Sequence, residues 1–174
     1  KVMRKIRLPY TVGYGMTECA PLIGYSPWET FRLGSCGRAV TNVVVRIDSD
    51  DPANKVGEIQ VHGENVMQGY YKNPEATAEA LTEDGWLRTG DLGYVDEENR
   101  VFITGRKKNL IILSNGENVS PEELENKFAV SDIVAEIMVY GEEGFVTAEI
   151  FPNPDTTKDM SREEVIAALN EEIK

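Results

Sequence analysis

Three short stretches carry side chains suited to holding a nucleotide. Val12-Gly13-Tyr14-Gly15-Met16-Thr17-Glu18 puts an aromatic face, a hydroxyl and a carboxylate on a glycine-containing backbone that can turn tightly and admit a ligand. A carboxylate is the hard oxygen ligand that Mg²⁺ takes, alongside substrate phosphates. Arg88-Thr89-Gly90-Asp91 sets an aspartate directly after a glycine at a strand end, where a carboxylate can accept both hydroxyls of a ribose. Gly105-Arg106-Lys107-Lys108 concentrates cations in an acidic chain, a pattern suited to binding something anionic between two bodies. Each stretch also has a plainer reading. Gly-Tyr-Gly occurs in ordinary turns, Asp91 suits a turn, and the cations suit a solvated loop.

The elements that must position these residues can be read from pattern and punctuation. Lys1, Arg4, Lys5 and Arg7 precede Pro9, and the spacing predicts a solvated strand or loop. The β-branched run 43–47 predicts a strand. Gly57-Glu58-Ile59-Gln60-Val61-His62-Gly63 alternates apolar and polar, as a half-buried strand would, with His62, the chain's one histidine, on the polar side in a structural role. Asn73 caps a helix that Pro74 opens and that runs to about Leu81. A strand follows over 86–93, then a polar hairpin turn at 96–99 and a returning strand over 100–104. After the cationic elbow come a short apolar run, a turn, and a helix with Ser120 as N-cap, Pro121 first and Glu123 closing a capping box. Strands over 133–140 and 145–151 flank an acidic turn. Ser161 and Glu164 form a second capping box ahead of a final helix with Val165, Ile166, Leu169 and Ile173 at helical spacing.

Composition limits the partners. The chain has 174 residues, enough for one domain or two small ones, and a formal net charge of −12. That charge excludes a basic nucleic-acid surface and disfavours an anionic membrane. Cys19 and Cys36 make no disulfide framework, which points to reducing cytoplasm. There is no transmembrane run and no visible signal peptide. The first residue is Lys1, which predicts a piece of something longer. The last 70 or so residues approach the lower limit for a self-sufficient core.

Taken together, the motifs resemble the adenylate-forming enzymes, the superfamily of acyl-CoA synthetases, peptide-synthetase adenylation domains and firefly luciferase. Tyr14-Gly15-Met16-Thr17-Glu18 matches the family's Tyr-Gly-x-Thr-Glu, and Arg88-Thr89-Gly90-Asp91 its Arg-Thr-Gly-Asp. Ser114-Asn115-Gly116-Glu117-Asn118-Val119-Ser120-Pro121 is most similar to the long-chain fatty-acid–CoA ligase branch. The resemblance implies that Tyr14 stacks on adenine, with Gly15 and Met16 in the same nucleotide-binding turn. It implies that Thr17 contacts the α-phosphate, Glu18 holds Mg²⁺, Asp91 binds the ribose hydroxyls and Arg106 contacts ribose and phosphate. Lys108 falls on the hinge position, and Gly116 where the backbone passes the pantetheine arm of CoA. Ile112 stands where many relatives have lysine, so it carries no basic role.

The implied fold is α+β. Residues 1–107 would be the C-terminal part of the large AMP-binding domain, a β-barrel-like subdomain. Residues 108–174 would begin the small mixed α/β lid. The implied parent is an ATP- and Mg²⁺-dependent acyl-CoA ligase acting on a carboxylic, fatty acid, with ATP and CoA as small-molecule partners. An adenylation domain loading a carrier protein, and a non-catalytic nucleotide- or acyl-binding regulator, are the alternatives. The family's phosphate-gripping loop and its C-terminal lysine have no counterpart here, and Lys174 is not in that lysine's motif. The piece alone is therefore expected to be inactive. Without the N-terminal part of its own chain, its open apolar face is expected to favour self-association.

Overall fold

The computed structural model describes residues 2–172; Lys1, Ile173 and Lys174, with the side chains of Val2 and Arg4, lie outside the described residues, and so do the expectations placed on them. The chain divides into two compact units, Lys1–Lys107 and Lys108–Lys174. No helix among the described residues is long and apolar enough to cross a membrane.

The first unit is built on a seven-stranded antiparallel sheet in the order β1-β2-β3-β7-β6-β5-β4. Its strands are β1 (Thr11–Gly15), β2 (Leu22–Pro27), β3 (Ser35–Ala39), β4 (Val43–Asp48), β5 (Gly57–Gly63), β6 (Leu87–Val95) and β7 (Arg100–Arg106). Two helices accompany it, α1 (Val2–Lys5) and α2 (Pro74–Ala80). The expected α+β class is found, but the barrel-like sheet stays open. Closure needs every strand bonded on both sides, whereas β1 and β4 end the order.

Three local readings change. The segment before Pro9 forms the short helix α1 instead of a strand or loop, its end closed by the Leu8 N–H donating to the Met3 carbonyl at 2.9 Å. Gly13-Tyr14-Gly15 is not a turn but most of β1, paired with β2. Gly15 serves close approach there, since a Cβ would collide with the Pro21 carbonyl. β5 is not half-buried. It lies between β4 and β6, and Glu58 and Gln60 on its polar side are buried along with Ile59 and Val61. Burial of Gln60 is tolerated because its amide donates to Asp48 Oδ2 at 3.0 Å and accepts from Arg46 Nε at 2.8 Å.

Ile23, Ile59, Val61, Leu87, Val101 and Cys19 are the largest fully buried side chains among the described residues, and Tyr14, Val43 and Ile47 join them in one core. Burial pushes the Cys19 thiol up to about 11, with the charge of Glu18 adding to it. Asn73 caps α2 as its sequence predicts, accepting from the Ala76 N–H at 3.1 Å. His62 is exposed, and its ring lies 5.4 Å from that of Trp86.

The second unit has a minimal ladder of β8 (Ile111–Ile112) and β9 (Asn118–Val119), then α3 (Pro121–Phe128), the hairpin β10 (Val134–Glu142) and β11 (Phe145–Pro152), α4 (Pro154–Thr157) and α5 (Arg162–Glu172). Ser120 Oγ accepts from the Glu123 N–H at 3.4 Å and donates to Glu122 Oε2 at 3.0 Å. The second capping box closes in both directions, Ser161 N–H to Glu164 Oε2 at 2.7 Å and Glu164 N–H to Ser161 Oγ at 3.3 Å.

Candidate functional site

Asp91 sits where β6 departs from regular pairing on both sides. Against β5 the register runs Gln60↔Arg88 and then Glu58↔Leu92, so Thr89, Gly90 and Asp91 lie opposite Ile59 alone. Against β7 it runs Leu92↔Gly105 and then Gly93↔Ile103, which leaves Thr104 as the extra residue. Bulges re-aim side chains and interrupt the ladder, so the freed backbone groups must find other partners. Thr89 and Glu58 supply them. Thr89 Oγ1 donates to the Ile59 carbonyl at 2.7 Å and accepts from the Asp91 N–H at 3.1 Å. The Gly90 N–H donates to Glu58 Oε1 at 3.1 Å. Gly90 itself has φ +73°, a left-handed conformation that favours glycine.

The Asp91 side chain is only 9% exposed. A buried charge is tolerated when it is paired and hydrogen-bonded, and Asp91 has both. Tyr14 donates its hydroxyl to Oδ2 at 2.8 Å, and Arg106 Nε lies 3.1 Å from Oδ1. Burial raises the Tyr14 phenol well above its ordinary range; the Thr89 hydrogen bond opposes this and the Asp91 charge reinforces it. Tyr14 therefore stays protonated near neutrality and remains a donor. Arg106 also stands opposite Asp91 in the β6–β7 register. Its side chain is 56% exposed, so a cation beside a buried carboxylate reaches solvent.

A second group gathers at the 3-10 turn Thr17–Cys19 that follows β1. The half-buried Glu18 accepts the Tyr70 hydroxyl on Oε1 at 2.8 Å, and its backbone carbonyl accepts from the Met67 N–H at 2.8 Å. Asn65 Nδ2 donates to the carbonyls of Cys19 at 2.7 Å and Leu22 at 2.9 Å. The turn is thus held by the segment following β5. Gly15 and Thr17 are exposed, while Met16 is half-buried and packs on the core. No cluster of three or more His, Cys, Asp or Glu suited to a metal occurs among the described residues.

The structure thus brings Tyr14, Asp91 and Arg106 into direct contact and sets Glu18, with Thr17, in a separate braced turn. Lys108 and Gly116 lie in the second unit, both exposed, Gly116 with φ +83° and open space where a Cβ would be. Pattern reading missed Glu58, Thr89, Asn65 and Tyr70 as supports. A charged side chain near the start of the β5 run was the one available signal, for Glu58.

Two family models match the chain: AMP-binding enzyme over residues 1–71, and AMP-binding enzyme C-terminal domain over 108–174. A 4-coumarate–CoA ligase of Narcissus pseudonarcissus is 36% identical, over 97% of this chain and 32% of its own length. A long-chain-fatty-acid–CoA ligase of Mycobacterium bovis is 38% identical, over 82% of this chain and 23% of its own. The chain thus spans only 32% and 23% of the length of these two curated relatives. O-succinylbenzoate–CoA synthetase of Bacillus subtilis, solved with AMP, superposes with a TM-score of 0.81 at 32% identity, over 98% of this chain and 36% of that one. The same enzyme solved with ATP and magnesium ion gives 0.77 at 30%, over 94% and 38%. Sequence likeness and shared architecture agree across both units, and the chain belongs to the adenylate-forming, AMP-binding family of acyl- and aryl-CoA ligases.

Proposed function

We propose that this chain supplies the nucleoside-binding turn, the hinge and lid residues of an AMP-forming acid–CoA ligase. On this reading 1–107 belongs to the large AMP-binding domain and 108–174 to the small lid domain. The reaction has two steps. A substrate carboxylate attacks the α-phosphorus of ATP, a P–O bond forms, and pyrophosphate leaves. The CoA thiol then attacks the acyl-adenylate carbonyl and AMP leaves. The observation that carries the reading is Asp91, a buried carboxylate held by the Tyr14 hydroxyl and paired with Arg106, whose own side chain reaches solvent. A fixed acceptor of that kind suits the ribose hydroxyls, and the neighbouring Arg106 suits ribose and phosphate oxygens. The Tyr14 ring would meet the adenine, and Thr17 the α-phosphate.

Glu18 fits Mg²⁺ in the way small phosphate-bound sites usually do, with one protein carboxylate and the remaining ligands from phosphate and water. The Tyr70 bond keeps that carboxylate oriented. When bound, the ion would neutralise phosphate charge. Lys108, the first residue of the second unit, would be the pivot between the two half-reactions. Gly116, with no side chain, would let the pantetheine arm of CoA pass its backbone. The relatives named above act on aromatic and aliphatic acids alike. We favour a fatty acid on the Ser114–Pro121 sequence. The isolated chain would hold only part of a nucleotide site and release no pyrophosphate from ATP, Mg²⁺ and fatty acids. In the full-length protein, Asp91→Ala is expected to raise the AMP dissociation constant about tenfold or more, the loss of a charge-assisted hydrogen bond. Calorimetry checks this, and an unchanged affinity would remove Asp91 from the nucleoside site.

A further inference from the structure

Glu58 has no part in the chemistry above, yet it is among the most buried charged residues described, at 6% exposure near the start of β5. Both of its oxygens are engaged. Oε1 accepts from the Gly90 N–H at 3.1 Å, and Oε2 meets Lys107 Nζ at 2.9 Å. Gly90 immediately precedes Asp91, and Lys107 immediately follows Arg106. One carboxylate therefore tethers the neighbour of each member of the Asp91–Arg106 pair. Gly90 lies in the β6 bulge beside Asp91, and Lys107 directly follows the last residue of β7, beyond that strand's own bulge at Thr104.

The arrangement is a poor device for stability alone. The Lys107 side chain is 59% exposed, and a pair with one member largely in water gains little, while Glu58 bears the desolvation of burial. What it does secure is geometry. The Gly90 N–H lies inside a bulge where no ladder partner is in register, and Glu58 is its acceptor. We infer that Glu58 is a positioning residue that sets the placement of Asp91 and Arg106 toward the nucleoside. This deepens the proposed function and rests on Asp91 contacting the nucleoside.

The test is a double-mutant cycle on AMP affinity, measured by calorimetry in the full-length protein alongside thermal melts. Glu58→Ala is expected to weaken AMP about fivefold in the wild type and to add nothing in the Asp91→Ala background, because coupled residues are non-additive. Glu58→Gln keeps an acceptor for Gly90 but loses the Lys107 ion pair, so it should weaken AMP about threefold, less than Glu58→Ala. An equal loss from Glu58→Ala with and without Asp91, or a Gln variant as weak as the Ala variant, overturns the inference. An Asp91→Ala variant with unchanged affinity instead overturns the nucleoside reading on which this one stands. If Glu58→Ala does not fold, Lys107→Met cuts the other tether while leaving the β5 sequence and the Gly90 bond in place. It should weaken AMP about threefold with Asp91 present and not at all without it. Equal losses in both backgrounds again overturn the role.

Discussion

The two units achieve order in different ways. In the first, Ile23, Ile59, Val61, Leu87 and Val101 are nearly or wholly inaccessible, and the buried carboxylates of Glu58 and Asp91 are held beside them. In the second, Ile111, Pro121 and Val139 are the buried apolar side chains among the described residues, while Val130, Phe145 and Phe151 remain 86%, 69% and 59% exposed. That unit relies on local devices. Ser120, Asn153 and Ser161 accept from helix-start amides. Glu143 and Gly144, both at positive φ, reverse the chain between β10 and β11, as a tight hairpin turn requires. Groups that must be held in fixed geometry sit on the dense unit, and the proposed pivot and the Gly116 turn sit on the sparse one.

Paired core substitutions should sharpen the contrast most. Ile59→Ala is expected to cost about 2–5 kcal/mol of stability, the range for emptying a tightly packed core site. Ile150, half-buried on β11, should cost about 1 kcal/mol or less on the same change, in proportion to the smaller area it removes from water. Denaturant melts measure both, and equal costs would break the comparison.

Lys108→Pro should fix φ near −65° and restrict the preceding residue, so that one half-reaction falls about tenfold or more while the other is spared. Adenylation and thioester formation assayed separately decide this; equal losses place the pivot elsewhere. Glu18→Gln should slow pyrophosphate release and spare thioester formation from supplied acyl-adenylate. Tyr70→Phe should do the same more weakly, by about threefold to tenfold for one neutral-to-charged hydrogen bond. If both half-reactions fall together, the Glu18 turn is a structural element.

The smallest effect lies at the α5 capping box. The Ser161 N–H bond holds the Glu164 carboxylate below its ordinary value near 4.5. A depressed carboxylate adds stability above that ordinary value and loses it as pH falls through the lower, folded one. The first turn of α5 should therefore loosen on acidification below about pH 4.5, following the Ser161 amide shift. Glu164→Gln should flatten that titration.

Much of the architecture was legible because its signals are local. Asn73-Pro74 and Ser120-Pro121 mark helix starts within a residue, and 96–99 forms the expected hairpin turn, with Asp96 Oδ1 accepting from the amides of Glu98 and Arg100. β1, β2 and β3 were not legible, because glycine, proline and serine give them no alternation and their pairing partners are distant in sequence. β5 looked half-buried because Glu58 and Gln60 are polar; sequence cannot show that partners from β6, β4 and Lys107, just past β7, make their burial tolerable. The motif residues Tyr14, Asp91 and Arg106 stood out by type and spacing. Their direct contact did not, since it depends on two bulges that no local pattern encodes.

An open sheet has two rims, and a rim can capture a strand from another molecule. On β4 the exposed Val44 is the inviting residue, and it is followed by Arg46 and Asp48. Arg46 reaches Asp84 at 3.0 Å and lies over the Trp86 ring at 4.2 Å, so a docking strand would displace a charge already engaged. On β1 the opposite rim is five residues long, carries two glycines, and breaks register at Tyr14/Gly15. Charge guards one border and brevity the other, which makes each a poor template for sheet-to-sheet aggregation.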